Sequence, residues 1–143
     1  MHIKQITEYT PEVQTALVDF LKQLVTREVG LTETFLKELI GSTNSYLFCA
    51  VDEEGHYVGM ITVGIYLSPT GRKGCIEDVV VTAASRGRGI GKVLTAYAIQ
   101  FARDRGVQSL MLTSNPARIE ANRLYQRLGF ERRETNVYRM TFS

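Results

Sequence analysis

Apolar positions along this chain change their period several times, and each change marks an element. Val13, Ala16, Leu17, Phe20, Leu21, Leu24 and Val25 recur at spacings of three and four, which predicts an amphipathic helix ending near Gly30. Thr10-Pro11-Glu12 supplies its start: a capping side chain, a proline at the first helical position and an acid in the first turn. Thr32 is placed to cap a second, shorter helix carrying Phe35, Leu36, Leu39 and Ile40, with Gly41 as its stop. Ahead of both, residues 2–9 read as a short strand. Residues 46–51 form a compact apolar run, Asp52-Glu53-Glu54-Gly55 a hairpin turn, and residues 57–67 a long strand containing Gly59 and Gly64. Ser68-Pro69-Thr70-Gly71 turns the chain again, and residues 75–82 give the next strand.

Ile90, Val93, Leu94, Tyr97, Ala98, Phe101 and Ala102 share one helical face, which Gly106 closes. Residues 109–113 are an apolar strand, residues 117–128 a helix punctuated by Gly129, and residues 130–142 strand-like with a break near Asn136. The order is β-α-α-β-β-β-α-β-α-β, an antiparallel meander feeding one β-α-β crossover. That order predicts a mixed α/β fold with helices on both faces of the sheet. No repeat, low-complexity stretch or linker interrupts it, and 143 residues suit a single domain over 1–143.

Composition narrows the class. Hydrophobic residues at 44% and charged residues at 22% are those of a soluble globular protein. A formal charge of +2, with basic residues dispersed except over 86–92 and at Arg132 and Arg133, argues against a nucleic-acid partner. Cys49 and Cys75 both sit in apolar strand-like runs, so a disulfide framework is not expected and a reducing cytoplasm is the default. The first residues lack the apolar core of a signal peptide, and no apolar run approaches the roughly 20 residues a membrane span needs.

The chemistry concentrates where Ile76-Glu77-Asp78-Val79-Val80-Val81 runs into Arg86-Gly87-Arg88-Gly89-Ile90-Gly91-Lys92. A strand, a glycine- and arginine-rich turn and a helix start bring backbone N–H groups and cations to one point, as a pyrophosphate requires. A Rossmann fingerprint fails because Lys92 stands at its third glycine, and the strand follows a meander instead of opening a βαβ array. A Walker A loop fails because Val93 follows Gly91-Lys92 and Arg86 occupies the first glycine position.

Arg86-x-x-Gly89-x-Gly91 instead resembles the acyl-CoA signature of the GNAT (GCN5-related) N-acetyltransferases, whose loop wraps the pyrophosphate of coenzyme A. The resemblance runs from about residue 45 onward. It includes Asn122-Arg123-Leu124-Tyr125-Gln126-Arg127-Leu128-Gly129-Phe130, with a tyrosine four residues before Gly-Phe. It implies a mostly antiparallel central sheet splayed between its fourth and fifth strands, with acetyl-CoA as co-substrate and no metal. The cofactor residues it implies are Arg86, Gly87, Arg88, Gly89, Ile90, Gly91 and Lys92 at the pyrophosphate, and the backbone of Val79, Val80 and Val81 along the pantetheine arm. Asn115 or Asn122 would bond to that arm; as plain residues they are a turn and a solvated helix position.

The same resemblance makes Tyr125 the general acid for the departing thiolate. Read as a residue, it is an aromatic on an apolar helix face. Glu77 is the candidate base, since the strand looks like that of the glucosamine-6-phosphate N-acetyltransferase branch. Alternating geometry puts Glu77 and Asp78 on opposite faces, and a salt bridge from Glu77 to Arg86 or Arg139 is the competing role. Thr113 stands near where some members carry a catalytic glutamate. An acetyl-cysteine route lacks a histidine near either cysteine in sequence, which favours direct transfer in a ternary complex. The implied activity is N-acetylation of a primary amine, on a small metabolite. Protein N-terminal or lysine acetylation and a non-catalytic acyl-CoA sensor are the alternatives. A homodimer is common in the family.

Overall fold

Five strands, β1 (His2–Gln5), β2 (Ser45–Val51), β3 (Tyr57–Ser68), β4 (Gly71–Val81) and β5 (Ser109–Met111), lie side by side in chain order in the computed structural model, which describes residues 1–27 and 29–143. The first three interfaces are antiparallel and β4 to β5 is parallel. The helices are α1 (Pro11–Leu24), α2 (Glu33–Ile40), α3 (Ile90–Asp104) and α4 (Ile119–Arg127). The chain forms two compact units, Met1–Leu112 and Thr113–Ser143.

In the first unit the expected caps form. Thr10 Oγ1 accepts the N–H of Val13 at 3.2 Å, and Thr32 Oγ1 that of Phe35 at 3.1 Å. Helix α1 stops at Leu24, short of Gly30, because Val25 is already extended at φ −127°; within that expected stretch, residue 28 lies outside the described residues. One sheet face is covered by α1 and α2, where Val13, Leu17, Phe20 and Leu36 pack with Leu47, Cys49, Met60 and Val80. The other is covered by α3: Phe48 lies edge-on to Tyr97 and Phe101, with centroids 5.1 and 4.8 Å away. Gly59 sets that approach, since a Cβ there would stand 2.9 Å from the Val80 carbonyl oxygen and 3.0 Å from Leu94 Cδ1.

The second unit holds a turn, α4 and an extended run. Helix α4 closes with Gly129 at φ +105°, the Gly129 N–H donating to Gln126 at 3.1 Å and the Phe130 N–H to Tyr125 at 3.0 Å. This is a Schellman cap, and the Phe130 ring meets the Tyr125 ring 6.1 Å away to complete it. The strand expected over 130–142 is not formed: residues 130–143 carry neither helix nor strand, and 131–143 are exposed throughout. The alternation is present, but a strand exists only with a ladder partner. No helix among the described residues is long and apolar enough to cross a membrane.

Candidate active site

Strand β4 is paired with β5 only from Lys73 to Cys75. From Ile76 to Val81 its β5 side is an open edge, so the two strands part where the resemblance requires. On the other side, β4 carries a bulge: Met60 pairs with Val80 and Thr62 with Glu77, so Ile61 faces both Asp78 and Val79. Asp78 is the one residue other than glycine with positive φ among those described, at 52°, a conformation aspartate tolerates better than most.

The bulge overturns the expected placement of the acids. Ile76 pairs with Val63, whose β2 partner Tyr46 stacks on Phe101 of α3. Val80, four residues on, packs in the α1–α2 core instead. The extra residue exchanges the faces of the strand, so simple alternation through Glu77 and Asp78 does not hold. Both acids reach solvent side by side. Burial of the neighbourhood and then the Asp78 charge push Glu77 above the ordinary carboxylate range, and burial does the same to Asp78. Within the first unit Glu77 makes no ion pair, Arg86 included.

After β4, residues Ala83–Ser85 make one 3₁₀ turn, held to α1 by Gln23, whose Oε1 accepts the Ala83 N–H at 3.1 Å. Arg86 folds back and its Nε donates to the Val81 carbonyl at 3.4 Å. Gly87 and Gly89 then take φ +81° and +75°, and a Cβ on either would meet nothing within 4 Å. Gly89 begins α3 with no side-chain cap, and the first turn holds no acid. Unlike α1 and α2, this helix leaves its first N–H groups open, between exposed Arg88 and Lys92. Ile90 and Gly91 anchor the turn: Ile90 is buried, and the Gly91 carbonyl accepts Thr95 Oγ1 at 2.7 Å. The alternating glycine conformations form an anion-binding nest at a helix start.

In the second unit, Asn115 and Asn122 serve the backbone. Asn115 Oδ1 accepts the Ala117 N–H at 2.8 Å, and Asn122 Nδ2 donates to the carbonyls of Asn115 and Arg118 at 2.9 and 2.8 Å. The unpartnered polar atom is the buried Ser114 Oγ, which no sequence signal singled out. Tyr125 is 7% exposed. Burial raises its phenol, with Arg118 opposing.

The two thiols are poor nucleophiles. Burial pushes Cys49 up to about 12, and burial together with the Glu77 charge raises Cys75.

A sheet that parts beside an open phosphate turn defines the class of protein: an acyl-CoA-type α/β fold. The comparisons with known proteins are specific. Residues 13–130 match the model of the acetyltransferase (GNAT) family, and the chain belongs to that family. It is 37% identical over 87 residues to a streptothricin acetyltransferase of Streptomyces lavendulae, covering 61% of this chain and 45% of that one. It is also 37% identical over 65 residues to a glucosamine 6-phosphate N-acetyltransferase of Oryza sativa, covering 46% and 38%. The chain thus spans less than half the length of these curated relatives. A crystal structure from Bacillus halodurans, described as a transcriptional regulator, superposes with a TM-score of 0.78 at 30% identity, over 99% of this chain and 100% of that one.

Proposed function

We propose that this chain moves the acetyl group of acetyl-CoA to a primary amine of a small metabolite, by direct transfer in a ternary complex. The carrying observation is the open β4 edge from Ile76 to Val81 leading into the uncapped Gly87–Gly89 turn. An extended amide chain such as the pantetheine arm pairs with a free strand edge, and a pyrophosphate suits the helix start beyond it. Val79 and Val81 would hold the arm by their backbone, with the N–H of Val79 or Val80 polarising the acetyl carbonyl. Arg86, Arg88 and Lys92 would supply charge-assisted bonds to phosphate.

In the transfer, the amine nitrogen bonds to the carbonyl carbon as the C–S bond breaks. Glu77 accepts the ammonium proton, directly or through water, and Tyr125 donates its own to the thiolate. The raised pKa of Glu77 suits a base, and the raised Tyr125 phenol stays protonated at neutral pH. The raised thiols support a route without an acetyl-cysteine. The family model runs through both units, which supports one domain over 1–143. The unpaired cysteines fit a cytoplasmic setting.

The small-amine acceptor is supported by the relatives described as streptothricin and glucosamine 6-phosphate acetyltransferases. The likeness to a protein described as a regulator favours a second reading, a non-catalytic acyl-CoA sensor. A panel of amino sugars, antibiotic amines and lysine peptides, followed by thiol release from acetyl-CoA, decides between them. Turnover on a small amine that falls in Tyr125→Phe supports the proposal. Binding of acetyl-CoA without release on any amine gives the sensor.

A further inference from the structure

We propose that residues 137–142 add as a strand to the open edge of β5 in a second copy of this chain, reciprocally, so that the protein is a strand-exchanged dimer. In Val137-Tyr138-Arg139-Met140-Thr141-Phe142, extended geometry puts Tyr138, Met140 and Phe142 on one side and Val137, Arg139 and Thr141 on the other. This is the pattern of a half-buried strand, rich in aromatic and β-branched residues. Nothing in its own chain covers it: Val137 is 74% exposed, Tyr138 88%, Met140 78% and Phe142 83%. Burying each such side chain is worth about 1.5–3 kcal/mol, so leaving four in water is a large forfeit for one short segment.

The complementary surface lies in the first unit. β5 ends the sheet, is bonded to β4 alone and carries no strand on its outer side among the described residues. Its last residue, Met111, is 54% exposed. Such an edge offers unpaired N–H and C=O groups to any extended chain. A second copy is the occupant that satisfies both surfaces at once. Tyr138 and Phe142 bring roughly 150–250 Å² each. With Val137, Met140 and the receiving surfaces, two reciprocal docks exceed the about 1,000 Å² that a specific interface needs, and twofold symmetry closes the pair. A single dock on an unrelated protein would bury half of that and leave one edge open.

Light scattering after size exclusion should give twice the 16.1 kDa of the chain. Tyr138→Asp with Phe142→Asp should halve that mass while leaving far-ultraviolet circular dichroism unchanged. Hydrogen exchange supplies a readout that needs no variant: amides of 137–142 and 109–111 should be protected together and lose protection together on dilution. A wild-type monomer overturns the proposal, as does a dimer that survives both substitutions. Protection at 137–142 that does not change on dilution also overturns it, because the segment would then pair within its own chain.

Discussion

Gly89→Ala separates the conformation of the phosphate turn from its use. Gly89 has φ +75°, and a Cβ there would meet nothing within 4 Å. The methyl group therefore costs only the left-handed backbone penalty, about 1–2 kcal/mol, or about 3–7 °C of Tm in a chain of this length. Gly55, in the hairpin after β2, offers a matched control: its φ is +87° and its surroundings are equally open. Gly55→Ala should cost the fold the same and touch no ligand. The two variants differ only in what their methyl group stands beside, since at Gly89 it would crowd the uncapped N-terminus of α3. Acetyl-CoA at about 100 times its Kd should stabilise the wild type by about 2.7 kcal/mol, a rise of about 9 °C.

Gly55→Ala should keep that full rise, and Gly89→Ala should lose at least about half of it, which corresponds to a tenfold loss of affinity at about 1.4 kcal/mol. Differential scanning fluorimetry across a ligand titration reads both numbers from the same samples. If Gly89→Ala and Gly55→Ala give the same ligand-induced rise at every concentration, the pyrophosphate does not sit at this turn.

Three further substitutions test other parts of the reasoning. Glu77 has a raised pKa in the fold, so the native state binds more protons than the unfolded one, and stability falls as pH climbs from the ordinary carboxylate range through the folded pKa. Glu77→Gln should accordingly be more stable than wild type at neutral pH, with the gap closing in acid, and its turnover should drop by roughly 10²–10⁴; a less stable variant at neutral pH would mean that an ion pair holds the carboxylate. Cys75→Ser should retain turnover, and neither thiol should react with iodoacetamide at neutral pH in the native protein; loss of turnover or an acetylated cysteine in a peptide map would refute direct transfer. Gly59→Ala forces a methyl group between the Val80 carbonyl and Leu94, so it should lower stability by about 1–3 kcal/mol in chemical denaturation, against no loss if α3 can slide away.

What could be read from the chain alone followed from local signals. Thr10 and Thr32 cap the helices they were expected to cap, because a hydroxyl before an apolar helical period has few other uses. The Gly87–Gly89 turn was legible because glycine at consecutive odd positions between a strand and a helix is rare without a need for positive φ. The motif around Tyr125 was legible for a reason that is partly structural: Gly129 and Phe130 complete the cap that ends α4, which orients the tyrosine from below. The strand over 130–142 went wrong because alternation records a side-chain pattern and cannot show whether a ladder partner is present. Asn115 and Asn122 drew attention by residue type, yet their amides are spent on the turn before α4, while Ser114, which looked ordinary, keeps a buried free hydroxyl.

The bulge at Asp78 is the feature that no period could disclose, and it ties the others together. One inserted residue moves β4 from the α3 face at Ile76 to the α1–α2 face at Val80. A strand twisted in that way cannot keep a straight parallel neighbour, and the β5 ladder ends at Cys75, just before the bulge. The open edge, the exposed acids and the approach to the glycine turn therefore share one cause. It follows that the conformation of Asp78, more than its charge, maintains the opening: glycine there would keep φ +52° without a Cβ, whereas proline, fixed near −65°, would have to straighten or break the strand.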